Sequence, residues 1–163
     1  MSHDRIEKHI VLNAPIDRVW RAISEAEQFG KWFGVSFDGS FVIGTKVTGR
    51  IKPTIVDPEV AKMQKPHEGK PFTFQVERIE PRNLIMFRWH PFAVDPKVDY
   101  SKEPMTLIEF RLKAVGNQTE LSLVESGFDS IPAERRAEAW RANEGGWTHQ
   151  MKLIEKYLTM TVS

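Results

Sequence analysis

The chain opens on a period-two pattern. Ile6, Lys8, Ile10 and Leu12 alternate with Glu7, His9 and Val11, which predicts a first strand. Asn13-Ala14-Pro15 then starts a helix, because a first-turn proline lacks only an N–H that the turn does not use. Its buried stripe is Ile16, Val19, Trp20 and Ile23, with Trp20 placed in the core. A short second helix is expected over 25–30, leading into Trp32-Phe33-Gly34.

Alternating strands follow over 35–42, 46–52, 72–80, 84–90, 105–114 and 119–126. Short turns join three pairs, at Ile43-Gly44-Thr45, Pro81-Arg82-Asn83 and Gly116-Asn117-Gln118. Two connections are long and proline-bearing, Pro53 to Pro71 and Pro91 to Pro104. The last strand passes through Pro132 into a helix whose apolar positions are Trp140, Trp147, Met151, Ile154 and Leu158. Steps of seven, four, three and four put them on one face.

The predicted class is α+β, with a curved antiparallel sheet of six to seven strands around a long C-terminal helix. Two short helices follow strand one, and the whole of 1–163 is expected to form one domain. Strand alternation places the three short turns at one end of the sheet. The Trp32-Phe33-Gly34 entry, both long loops and the link from Ser126 to Ile131 fall at the other, the expected mouth of a cavity.

Composition narrows the function. Lys plus Arg number 23 against 22 Asp plus Glu. With no basic stripe, nucleic acid is not the expected partner. No run approaches the length of a membrane span, and the N-terminal residues show no secretory apolar region, so a cytoplasmic protein is expected. Cysteine is absent, which excludes disulfides, thiolate metal sites and iron–sulfur clusters. His3, His9, His67 and His149 have no ligand spacing, so no metal site and no cofactor are expected. His149, two residues after Trp147, points away from the apolar stripe. The charges Glu134, Arg135, Arg136, Glu138 and Arg141 read as a solvated helix face.

Glu125 is the sharpest candidate for chemistry. It shares a strand face with Leu121 and Leu123, so a cavity lined by those leucines would also hold its carboxylate. There it would serve as an acid, a base or a hydrogen-bond anchor. In the strand 84–90, Ile85, Phe87 and Trp89 form the more apolar side and are expected inside. Arg88 and His90 then lie outside, unless a twist at the strand end brings His90 beside Glu125 as an acid–base pair. Trp32, Phe33, Trp89, Trp140, Trp147 and Met151 are candidate walls, with Arg88 a less certain polar contact and Met86 and Met105 as adaptable lining. A core simply filled by these side chains satisfies the same pattern.

The segment from Ala14 to Trp20, with Trp32-Phe33-Gly34, Ile79-Glu80-Pro81, Phe87-Arg88-Trp89, Thr119-Glu120-Leu121, Ser126-Gly127-Phe128 and Gly145-Gly146-Trp147, resembles the START-like (SRPBCC) superfamily of helix-grip domains. Leu153 and Tyr157-Leu158 extend the likeness, which covers about 5–159. Within that superfamily the chain looks like a bacterial member of the family named after the C-terminal domain of the activator of the heat-shock-protein-90 ATPase. The resemblance implies a helix-grip fold with a cavity, in a group that includes ligand binders, aromatase/cyclase-like proteins and co-chaperone domains. The pattern departs from the commoner one at Gly44-Thr45, where a Gly-Gly pair is usual, and in the length of the 53–71 connection. The vanillate demethylase reductase label carried by some similar sequences does not fit a chain without cysteine or a G-x-G-x-x-G loop.

Three expectations follow. The favoured one is binding of a small apolar or aromatic ligand between the sheet and the last helix. The second is a metal-independent cyclase or hydrolase-like enzyme using Glu125 and His90. The third is a co-chaperone-like interaction module, which is not favoured.

Overall fold

The computed structural model describes residues 4–91, 97 and 99–160. The chain runs β1 (Arg5–Leu12), α1 (Ile16–Ser24), α2 (Ala26–Phe33), β2 (Val35–Phe37), β3 (Lys46–Ile51), α3 (Pro58–Gln64), β4 (Pro71–Glu80), β5 (Leu84–Trp89), β6 (Thr106–Val115), β7 (Gln118–Ser126) and α4 (Ala133–Thr159). All pairings are antiparallel, in the order β1-β7-β6-β5-β4-β3-β2. This is an α+β helix-grip fold: one curved sheet, two short helices after its first strand, and a long C-terminal helix.

Local chemistry explains most of the boundaries. Pro15 is the N-cap of α1, and its carbonyl accepts from the N–H groups of Arg18 and Val19. Val19 and Ile23 are fully buried, while Ile16 and Trp20 pack at the edge of the core. Helix α2 runs further than the sequence suggests, through Trp32 and Phe33. It stops at Gly34, whose φ of 95° is a left-handed value that glycine adopts without a Cβ penalty. A register shift between Val76 and Arg78 marks a bulge in β4.

Two further expectations are corrected. The second strand is only three residues long, not eight. The Asp38 side chain accepts from Thr48 N–H, and Phe41 turns inward to within 4.9 Å of the Phe87 ring centroid, so 38–45 is an exposed loop that sends one ring into the core. The connection from Pro53 to Pro71 is not all loop, for it holds α3. Asp57 caps that helix by accepting from the N–H groups of Glu59 and Val60, and Pro58 occupies its first turn. Asp57 also bonds Lys156 of α4 at 2.5 Å. That bond, then those to Val60 and Glu59, hold the Asp57 carboxyl below its ordinary range.

The interior between α2 and the sheet is filled with rings. Phe29 lies 4.8 Å from Trp32, 5.0 Å from Phe33 and 5.9 Å from Phe74, centroid to centroid. Phe74 stacks on Phe87 at 4.7 Å. Such close aromatic pairs add about 0.5–1.5 kcal/mol each beyond their burial. Along α4, Trp147, Met151, Ile154 and Leu158 are buried as their spacing predicts. Trp140, one end of the same stripe, is half-buried, and its indole N–H donates to the Arg5 carbonyl at the sheet's edge.

No helix among the described residues is long and apolar enough to cross a membrane. Nor is there a cluster of three or more potential metal ligands among them.

Candidate functional site

Glu125 is the buried carboxylate among the described residues. Leu121, Leu123 and Glu125 alternate along β7 onto the inner face, and all three are 0% exposed. A carboxylate taken out of water requires donors for its oxygens, and four neutral side chains supply them. The Trp147 indole N–H lies 2.8 Å from Oε1, and the Trp89 indole N–H lies 2.7 Å from Oε2. Thr106 Oγ1 donates to Oε2 at 2.5 Å. The Asn143 amide N–H₂ spans both oxygens, at 3.0 and 3.1 Å. No ion pair to Glu125 occurs among the described residues.

The donors come from three elements. Trp89 ends β5, Thr106 begins β6, and Asn143 and Trp147 lie one turn apart on α4. The carboxylate therefore pins the long helix to the sheet. Trp89 and Trp147 also meet ring to ring at 6.0 Å, and Phe33 meets Trp147 at 5.9 Å.

Beside this cluster lies a hollow of about 90 Å³. Phe33, Trp89, Asn143, Gly146, Trp147 and Gln150 line it. Gln150 donates from Nε2 to the Phe33 carbonyl at 3.1 Å, while its Oε1 is buried without a hydrogen-bond partner. The same Phe33 carbonyl accepts from Gln64 Nε2 at 3.0 Å, and Gln64 Oε1 accepts from Thr54 N–H. The segment holding α3 is thus anchored at the α2 end of the site.

A larger cleft of about 760 Å³ lies elsewhere, between the α1–α2 junction, β2, the loop around Gly39 and the stretch from Lys52 to Ile55. Glu25, Glu27, Lys31, Asp38 and Lys52 stand among its walls. The small hollow is the better candidate despite its size, because three of its lining residues, Trp89, Asn143 and Trp147, hold the buried Glu125 carboxylate.

The other sequence candidates are distributed around this centre. Trp32 is fully buried behind the site, with its indole N–H given to the Ala22 carbonyl at 2.8 Å. Met151 is buried on α4 but does not line the hollow. Trp140 lies outside, at β1. Arg88 is on the opposite face of β5, paired with Glu77 at 3.2 Å, and Met86 shares that face.

His90 does not join Glu125. Adjacent strand residues point to opposite faces, and Trp89 takes the inward position. His90 Nε2 instead lies 3.1 Å from the Glu103 carbonyl. The helix charges are also not uniformly solvated. Arg135 pairs with Glu103, donates to the Pro91 carbonyl and covers the Tyr100 ring, while Arg136 donates to the Asp129 and Ile131 carbonyls. Both thereby fix the entry to α4. Residues 92–96 and 98 of the second long loop lie outside the described residues.

Sequence reasoning missed Thr106, Asn143 and Gln150. Asn143 carried a usable signal, because it precedes Trp147 by four and so shares its helix face.

A helix-grip domain with a buried, neutrally satisfied carboxylate under its long helix defines the class. The model for the family described as activator of Hsp90 ATPase homolog 1-like protein matches residues 13–159, and the chain belongs to that family. No curated protein matches the chain at a significant level.

Among solved structures, protein MLL2253 from Mesorhizobium loti is similar at a TM-score of 0.70 and 18% identity, over 98% of this chain and 99% of that one. The Aha1 dimer from Colwellia psychrerythraea is similar at 0.67 and 17%, over 96% of each chain. DynU16, from the dynemicin biosynthetic locus, is similar at 0.65 and 21%, over 95% of this chain. The present chain spans 47% of that protein's length. At these identities the likeness shows a shared fold.

Proposed function

We propose that the protein binds a small hydrophobic or aromatic molecule where α4 meets the sheet, at the hollow faced by Phe33, Trp89 and Trp147. In this reading the chain works as a single START-like domain in the cytoplasm. One observation carries it: a fully buried carboxylate, held by two indoles and an amide, stands directly behind the lining of that hollow. Ring walls with a few convergent polar groups are the usual make-up of a small-molecule site.

Turnover through a Glu125–His90 pair lacks its geometry, since His90 is turned away and every hydrogen-bond partner of Glu125 among the described residues is a neutral donor. Binding without assigned turnover is therefore preferred.

The test is tryptophan emission and thermal shift across a library of aromatic acids, amines, flavonoids, sterols and fatty acids. Trp89 and Trp147 are expected to report a saturable change. Stabilisation should be about 2.7 kcal/mol at a hundred times the dissociation constant. Trp147→Ala should abolish the signal, in protein shown to be folded, since such a truncation costs about 3–5 kcal/mol. Silence across the library in well-folded wild type would overturn the reading. It would bring forward the interaction module that the family's description suggests, tested by complex formation with the chaperone.

A further inference from the structure

The polarity of the small hollow restricts what it can take. None of its described lining residues carries a charge, so no cation is present to receive an acid. In and behind the lining, negative character comes from three sources.

The first is Glu125 itself. Trp89, Asn143 and Trp147 each line the hollow and each donate to this carboxylate. The carboxylate therefore lies one side chain behind the wall, and its partners Trp89, Asn143, Trp147 and Thr106 are all neutral. The second source is the ring faces of Phe33, Trp89 and Trp147. Both indoles give their N–H to a carboxylate, which pushes electron density onto the rings and strengthens their attraction for a cation.

The third is Gln150 Oε1, buried and unpartnered beside the hollow. The Phe33 carbonyl fixes its orientation. A carbonyl can only accept, so the amide must turn N–H₂ toward Phe33 and leave its oxygen over. An unmatched buried acceptor of this kind costs stability until a donor reaches it.

Resting on the binding reading above, we infer that the hollow selects the protonated amino group of a small organic amine carrying an aromatic or apolar body. An acid brought to the same place would meet a buried carboxylate and an amide oxygen with no positive charge nearby. Size agrees with a head-group role. An apolar cavity of roughly 150 Å³ holds a benzene ring, so 90 Å³ admits an ammonium group and leaves the body on the open side, where Gly146 is exposed.

The test is calorimetric titration of the wild-type protein with four probes of similar shape: phenethylamine, benzyltrimethylammonium, phenethyl alcohol and hydrocinnamate. Phenethylamine is expected to bind several-fold more tightly than the alcohol, the order that cation–π attraction at a partly exposed site supplies. Hydrocinnamate should bind more weakly than either. Gln150→Leu should weaken phenethylamine several-fold. It should leave benzyltrimethylammonium, which has no N–H to give, nearly unchanged.

Hydrocinnamate or the alcohol binding as tightly as the amine would overturn the inference while leaving a ligand site in place. An equal loss for both cations in folded Gln150→Leu protein would remove the role given to Oε1. If none of the four binds while other library members do, the selectivity is refuted alone. If nothing binds at all, the binding reading falls with it.

Discussion

At the scale of the residue, Glu125 was legible, as were Trp89 and Trp147 beside it, while Thr106 and Asn143 were not. Period two along β7 put it with Leu121 and Leu123, and all three are wholly buried. Its donors come from β5, β6 and α4, and only the assembled fold brings them together. That arrangement makes Glu125→Gln a sharp test. Glutamine keeps the shape but replaces one accepting oxygen with N–H₂. Turned one way the amide faces the Trp147 N–H; turned the other, it faces Trp89 and Thr106. An indole cannot accept, so one buried donor is orphaned in either case. The expected loss is about 1–3 kcal/mol, read from the midpoint of urea unfolding at unchanged slope. A variant as stable as wild type would show that this carboxylate is not what fastens α4.

At the scale of the element, strong periodicity gave β3 to β7 to within about two residues and, for α4, the buried face from Trp147 to Leu158. The misses have physical causes. Helix α3 was hidden by the prolines around it, although Asp57-Pro58 is itself a cap followed by a first-turn proline. The second strand was overextended because Phe41 reads as a strand position yet serves as an inward plug of the ring cluster. Arg135 looked like surface until Glu103 was placed beside it.

Helix α4 also contains an internal contradiction. Gly145 and Gly146 sit mid-helix, where each costs about 1 kcal/mol relative to alanine, and a Cβ on either would meet nothing within 4 Å. Packing therefore does not require them. Gly146 lines the hollow and Gly145 does not. Gly145→Ala should raise stability by about 0.5–1 kcal/mol and leave phenethylamine affinity alone. Gly146→Ala should stabilise similarly while weakening that affinity, because its methyl enters the space the ligand needs. Equal affinities for the two variants would place the ligand elsewhere.

At the scale of the whole molecule, the question is which of two spaces a ligand enters. The core under α2 is filled by rings, from Phe29 through Phe74 and Phe87, so no ligand fits there without expelling side chains. The cleft beside β2 is roomy, and its walls carry charges of both signs. The hollow under α4 is small but has the buried polar group, the ring walls and the spare acceptor. Binding there should tighten the elements that Glu125 joins, since ligand and carboxylate share Trp89, Asn143 and Trp147. Hydrogen–deuterium exchange with and without phenethylamine separates the two. Added protection is expected along α4 and at the adjoining ends of β5, β6 and β7, with little change at the α1–α2 junction and β2. Stabilising the native state slows global opening everywhere, so the comparison belongs to amides that exchange by local opening. Protection centred on 24–41 and 52–55 would move the site to the larger cleft and leave Glu125 as the fastener of α4.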